Sequence, residues 1–434
     1  MITVLASASS ELVIARSQMA FTLAFHMVFA SMGIGFPLLI LIAERRAIVT
    51  GDQVWREMAK RWSKVFAVLF AVGAVSGTVL SFELGLLWPE FMGTFGSVIG
   101  LPFTMEGFAF FTEAIFLGIY LYGWDRLSAK AHFWAGVPVA VAGAASGFFV
   151  VLANAWMNQP GGFTMENGVV TSADPVDALF NSVAASEVIH AVVATYMVAG
   201  FGVAAVYAVI RLRGNRTAYV KKAMGLGLAL GIVFAPLQVV VGDWSSRVAA
   251  EHQPVKFAAM EAIDVTEPGT PLHIGPFSIP RGAALMLKFD PDAAIPGLDQ
   301  VAPEDRPPVG LTHWAFQVMF LSGFAMAGLT VWSGWSWWRR RRLPEGKAYL
   351  WAVAASGVLA IVALQAGWVV TEVGRQPWIA QGVMRTADAV SDSPGLLVGF
   401  IVVILVYVFL AVATVVVLRI LARRPLDPEA AGVS

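Results

Sequence analysis

Residues 17–46 read SQMAFTLAFHMVFASMGIGFPLLILIAERR, and the fold turns on this stretch. From Ser17 to Ala43 it holds no Asp, Glu, Lys or Arg, and then it breaks into Glu44-Arg45-Arg46. An apolar run of that length crosses a hydrocarbon layer ~30 Å thick as a helix, the one open structure that satisfies its own backbone there. The run also contains His26, and an ionisable group at membrane depth is costly enough to be a functional candidate by default. Two questions follow: how many such runs the chain has, and what tolerates their polar residues.

The composition answers the first in outline. Of 434 residues 58% are hydrophobic and 13% charged, and the mean hydropathy is +0.71. No soluble domain of this size carries so much apolar surface, so an all-α, polytopic membrane bundle is expected. Spans are read at 17–43, 62–83, 101–123, 133–155, 182–210, 221–242, 311–335, 348–371 and 394–420. This divides the chain into helices one to six (1–242), a long connection (243–310), helices seven to nine (311–421) and a tail (422–434). Lys plus Arg and Asp plus Glu are 29 each, so charge points to no nucleic-acid partner. With no cysteine, disulfides, iron–sulfur clusters and thiolate ligation are excluded together. Residues 1–16 lack a basic n-region, so the first span is expected to act as an uncleaved anchor.

Short-loop charge gives the expected orientation. Arg45, Arg46, Arg56, Lys60 and Arg61 follow the first span, and Arg126 and Lys130 the third. Arg211, Arg213 and Arg216 follow the fifth, Arg339 to Arg342 the seventh, and Arg419, Arg423 and Arg424 close the ninth. The connections 84–100 and 156–181 contain neither Lys nor Arg. The positive-inside rule then puts the N-terminus outside and the C-terminus and the 422–434 tail in the cytoplasm. The proline-rich 243–310 connection falls outside. A connection that long is expected to be functional or disordered.

Orientation turns positions into depths. His26 lies roughly 13 Å along its helix from the outer end, and Glu106 within the first turns of the third span. His190 and Met319 lie near the outer starts of spans five and seven, and Glu372 at the outer end of span eight. Five potential ligands from five helices converge on the outer half. Imidazole, thioether and carboxylate are the side chains that hold haem iron. Glu113 shares the Glu106 face ~10 Å deeper. Singly, each has a plain structural explanation: helix-packing hydrogen bonds for the histidines, core filling for Met319, a rim carboxylate for Glu372. Together the ligand reading prevails. His132 and His313 read as interfacial, and His252 and His273 as solvated loop residues.

Gly374-Arg375-Gln376-Pro377-Trp378 follows Ala366-Gly367-Trp368 and Glu372. With Phe25-His26-Met27, Met105-Glu106-Gly107-Phe108, Gly123-Trp124-Asp125-Arg126 and Ala153-Asn154-Ala155-Trp156-Met157, the chain resembles subunit I of the cytochrome bd quinol oxidases over essentially its whole length. Gln253-Pro254-Val255-Lys256, running on to Glu261, looks like the family's quinol-loop signature in its short form. The resemblance implies an O2-reducing respiratory oxidase in a prokaryotic cytoplasmic membrane. It assigns His190 and Met319 to the axial pair of a low-spin haem b. His26, Glu106 and Glu372 fall to two high-spin haems, one haem b and one haem d (or a third haem b in its place). Lys256 and Glu261 fall to quinol, either ubiquinol or menaquinol, and Glu113 to the proton route. A second large subunit and a small single-span subunit are implied as partners, alongside membrane lipid. Two positions depart from the pattern: Gln317 where the family often has Arg, and Gln365 where it often has Glu.

The chemistry suits these residue types. A Met–His pair saturates iron axially and favours relay of electrons, whereas O2 needs an open axial position and hence one ligand per iron. Glu261 is placed to take a quinol proton, Lys256 to contact a quinol oxygen, and Arg375 to pair with propionates, while Trp368 and Trp378 offer flat packing surfaces. Quinol oxidised outside with protons drawn from inside would charge the membrane without a pump. The alternatives are a b-type haem relay and a proton-coupled transporter. The first needs paired histidines for each haem, and the second predicts inverted repeats and broken helices.

Overall fold

The computed structural model describes residues 10–423. Among them are nine helices long and apolar enough to span a membrane. They are α1 (Ser10–Thr50), α2 (Gln53–Leu87), α3 (Pro89–Gly123), α4 (Ala129–Asn158), α5 (Ala184–Leu212), α6 (Ala218–His252), α7 (Val309–Arg340), α8 (Lys347–Val373) and α9 (Leu396–Arg423). Each contains or closely overlaps one span read from hydropathy. The tail read at 422–434 lies, from residue 424 on, outside the described residues, as does Arg424.

Local chemistry sets the turns on the arginine-rich side. Gly51, at φ +67°, lets the chain leave α1, and the Asp52 carboxylate then accepts from the Val54 amide to cap α2. Ser128 and Thr217 cap α4 and α6 in the same way. α5 is the most enclosed span, packed along α6, α8 and α1. Its crossing with α6 is backbone on backbone: a Cβ on Gly200 would sit 2.6 Å from the Gly231 nitrogen. Small residues bring membrane helices together in this manner where lipid offers no hydrophobic drive. Outward faces carry exposed Phe108, Phe111, Val398 and Phe409, as a lipid solvent permits.

Two apolar clusters occupy opposite ends. At the arginine-rich end, Phe36, Leu39, Trp62, Phe66, Leu117 and Tyr120 interlock α1, α2 and α3. At the other end, Leu12, Trp88, Phe91, Phe95, Trp156 and Ile379 join α1, α3, α4 and the segment after α8.

The connections at that second end are built rather than loose. Residues 156–181 form a hairpin of β1 (Phe163–Glu166) and β2 (Val169–Ala173) and a short helix Pro175–Leu179. The long connection begins later than 243, because α6 continues to His252. It then forms a helix Pro254–Glu261, the hairpin β3 (Leu272–Ile274) and β4 (Phe277–Ile279), and a helix Gly282–Lys288. Phe257, Ala258, Ile263, Ile295 and Leu298 give it a core of its own. Of the two outcomes expected for a long connection, the structure shows order.

Candidate functional site

A cavity of about 1260 Å³ opens inside the bundle, walled mostly by apolar side chains. His26, Glu106, Glu113, His190, Lys256, Glu261, Met319, Trp368, Glu372 and Arg375 all line it. They come from α1, α3, α5, α7, α8, the helix Pro254–Glu261 and the turn after α8. Trp378 is not among the lining residues: its ring lies 4.9 Å from the Arg385 guanidinium, in a cation–π contact.

Each candidate ligand is held in a defined pose. His26 Nδ1 lies 3.0 Å from Ser76 Oγ, whose proton is directed at the Val72 or Gly73 carbonyl. The hydroxyl therefore accepts from Nδ1–H, and Nε2 keeps its lone pair, the tautomer a metal requires. His190, on α5, is edged by the Gln238 amide at 3.1 and 3.3 Å. Glu106 Oε1 accepts from Ser146 at 3.0 Å. Glu372 accepts from Asn154 through Oε1 and from Arg375 through Oε2, the latter at 2.6 Å. Glycines clear the space beside the ligands. A Cβ on Gly77 would lie 3.0 Å from His26 Cε1, and one on Gly367 3.1 Å from Met319 Sδ. Gly242 stands 3.6 Å, by the same measure, from His190 Cε1.

A polar network closes the end of the cavity near the long connection. Asn158 is its hub: Oδ1 accepts from Lys256 Nζ at 2.7 Å and Arg375 at 3.1 Å, while Nδ2 donates to Glu187 at 3.0 Å. Gln253 donates to the same Glu187 at 3.0 Å. Lys256, on the helix Pro254–Glu261, is 7% exposed. Burial lowers its pKa to about 8, with Glu187 pulling the other way. Burial also pushes Glu261 up to about 7. Asn158, Glu187, Ser146, Gln238 and Arg16 line this region or position its residues and were not singled out in the sequence. Spacing carried a faint signal for two of them: Asn158 follows Asn154 by one turn, and Glu187 precedes His190 by one turn. Arg16 reaches Gln376, whose oxygen also accepts from Thr386 at 3.0 Å.

The two departures from the family pattern have structural jobs. Gln317 donates to the His273 carbonyl at 2.8 Å and accepts from the Gly275 amide at 3.2 Å, fastening the β3–β4 hairpin to α7. Gln365 donates to the Ala24 carbonyl at 2.7 Å, tying α8 to α1. Other histidines differ from their expected settings. His132 is buried against Glu44, and His313 is buried against the Met260 carbonyl at 2.8 Å. His252 ends α6, and His273 sits in β3 facing the cavity.

Whether iron porphyrins suit this enclosure can be judged from its own atoms. Buried Arg375 Nε, Gln238 Oε1, Gln253 Oε1, Glu113 Oε1 and Glu261 Oε2 have no hydrogen-bond partner among the described residues, and all five residues line the cavity. Buried polar atoms are rarely left so. An unpaired guanidinium nitrogen, a free imidazole lone pair, a thioether and glycine clearings fit flat, anionic, metal-bearing groups.

A sequence profile described as cytochrome bd terminal oxidase subunit I matches residues 14–425. The chain is 34% identical to the putative cytochrome bd menaquinol oxidase subunit I of Bacillus subtilis (strain 168), covering 96% of this chain and 98% of that one. It is 30% identical to the cytochrome bd ubiquinol oxidase subunit 1 of the same organism, over 88% of this chain and 87% of that one. Among solved structures, the bd oxidase of Geobacillus thermodenitrificans superposes with a TM-score of 0.87 at 36% identity, over 95% of this chain and 98% of that one.

Proposed function

The chain belongs to the cytochrome bd terminal oxidase subunit I family, and from that premise we propose how its cavity carries out the work of a respiratory quinol oxidase. It is a multi-pass membrane subunit of an enzyme that oxidises quinol and reduces O2, working with haem cofactors and a second large subunit.

The finer assignment rests on one observation: ten candidate residues from six helices and a turn line one cavity, beside buried polar atoms that lack partners. His190 and Met319 would hold a low-spin haem b. His26, Glu106 and Glu372 would hold two high-spin haems, one b and one d, or a third haem b in place of d. Bound there, these groups supply the one-electron steps and the O2-binding position. Arg375, with Nε free, neutralises propionate charge. Trp368 supplies flat apolar wall.

Quinol approaches from the outer side, at the helix Pro254–Glu261. Glu261 Oε2 accepts one hydroxyl proton, and Lys256 Nζ donates a hydrogen bond to a quinol oxygen. Each quinol gives up two protons and two electrons, and each O2 takes four of both to form two waters. Glu113, deeper on α3, hands on protons drawn from the cytoplasm. Quinol protons leave outside while substrate protons enter from inside, so the membrane is charged without a pump. The family relatives carry both ubiquinol and menaquinol in their names, and either head group suits these contacts. A small single-span subunit and bordering lipid would cover exposed apolar faces of a prokaryotic cytoplasmic membrane protein.

The test is the reduced-minus-oxidised visible spectrum of the purified complex, with and without carbon monoxide, joined to pyridine haemochrome analysis. Haem b and haem d bands with a carbon monoxide response are expected. A colourless complex would refute the assignment, and a spectrum without carbon monoxide response would reduce it to a relay. Proton uptake from the outer face of oriented liposomes would overturn the sidedness.

A further inference from the structure

Below Glu113 the cavity ends, yet buried polar groups do not. At the arginine-rich end, Glu44 of α1, Tyr120 of α3 and His132 of α4 form a closed triad, all 3% exposed or less. The Tyr120 hydroxyl donates to Glu44 Oε2 at 2.6 Å. His132 Nδ1 lies 2.7 Å from Glu44 Oε1, and its Nε2 lies 2.9 Å from the Tyr120 carbonyl. That carbonyl can only accept, so Nε2 carries a proton. Nδ1 then either donates to an ionised Glu44 or accepts from a protonated one. Both arrangements leave one proton between two atoms 2.7 Å apart, with a place on each. The Tyr120 and Trp124 rings pack against the imidazole, with centroids 4.3 and 4.1 Å from it.

The triad is aligned with the residues above it. Glu106, Glu113 and Tyr120 follow each other at seven-residue steps, so they share one face of α3 at intervals of ~10 Å. Beside Tyr120 lies a void of about 10 Å³, walled mostly by apolar side chains, Ile40, Leu41, Phe66, Leu117 and Val139 among them. Pro37 has no N–H, so the Gly33 carbonyl one turn earlier loses its helical donor. That carbonyl oxygen and Glu113 Oε1 both lie 3.2 Å from the point a Gly143 Cβ would occupy. A carbonyl without its helical donor thus stands beside the unpaired carboxyl oxygen of Glu113.

We infer that Glu44, His132 and Tyr120 are the intake station of the proton route, loading protons from the cytoplasmic side and passing them along the α3 face to Glu113. The inference rests on the inward route proposed above. For each proton handed to Glu113 one is taken from cytoplasmic water, so the triad ends each cycle as it began. These residues act through Glu113 and are positioning residues for the reaction.

The experiment uses the purified holoenzyme, with Glu44→Gln, Glu44→Asp, Tyr120→Phe and Glu113→Gln. Glu44→Gln should lower quinol:O2 turnover on the order of tenfold, with an unchanged haem spectrum and quinol KM and a larger solvent deuterium isotope effect. Glu44→Asp should recover most of the turnover. Tyr120→Phe leaves the Glu44–His132 pair intact, so it keeps the test alive if Glu44→Gln does not assemble, and it should raise the isotope effect alone. Turnover within twofold of wild type in Glu44→Gln, or an isotope effect equal to wild type in Tyr120→Phe, beside a slow Glu113→Gln, would overturn the station and leave the route standing. Loss of thermal stability without a change in isotope effect would reduce the triad to a helix clamp and also overturn it. A fast Glu113→Gln would bring down the route and the station together.

Discussion

The two ends of the bundle treat buried polarity in opposite ways. At the arginine-rich end, Glu44, Tyr120 and His132 satisfy one another, Trp62 donates to the Tyr207 hydroxyl at 2.8 Å, and Ser333 meets the Tyr349 hydroxyl at 2.8 Å. Around the cavity, Arg375, Gln238, Gln253, Glu113 and Glu261 each keep an unpaired buried atom. Trp124 Nε1 is the exception at the paired end. An unmet buried polar atom costs about 1–3 kcal/mol, so it persists where something else completes it. The comparison teaches which end is a packed anchor and which is a receptacle.

The largest effect should come from the receptacle. His190→Ala or Met319→Leu should abolish the low-spin haem band, read in reduced-minus-oxidised spectra; survival of the band in both would refute the axial pair. At the anchor, Phe66→Ala should cost about 3 kcal/mol of stability, seen as a lower thermal midpoint. The folded fraction should keep its full haem content, and a matching loss of haem would erase the contrast between the ends. Asn158→Ala removes the acceptor shared by Lys256 and Arg375. Hydrogen bonds to charged groups contribute roughly 1.5–3 kcal/mol, so quinol kcat/KM should fall about 10–100-fold. An unchanged value would show that the hub serves packing alone.

The smallest effect is in pH dependence. Burial raises Glu261 to about 7, so below that pH the carboxyl is protonated and cannot take a quinol proton. Burial lowers Lys256 to about 8, so above that pH its charge is lost. Quinol kcat/KM should therefore rise through about 7 and decline beyond about 8. Glu261→Gln should flatten the acid limb while the alkaline limb stays. An acid limb that persists in this variant belongs to another group.

The spans were legible because twenty apolar residues in a row admit one structure in lipid, and α1 to α9 fall where hydropathy placed them. The convergence of His26, Glu106, His190, Met319 and Glu372 on one cavity was legible because depth along a helix is arithmetic once direction is assigned. The network behind them was not. Asn158 is a short amide near a helix end, and only the fold brings Lys256, Arg375 and Glu187 to it from distant sequence. Lys256 read as a loop residue because periodicity carries no information about a connection that folds back over the bundle. His132 read as interfacial from its place near a helix start, yet its side chain turns inward to a carboxylate 88 positions away.

The Gln317 clasp joins two parts with different tasks. Its amide grips the backbone of the β3–β4 hairpin from both sides, and it stands two residues ahead of Met319. A swing of the hairpin must break both bonds or drag α7 with it. A displacement of the hairpin would thereby carry to the turn of α7 that holds Met319.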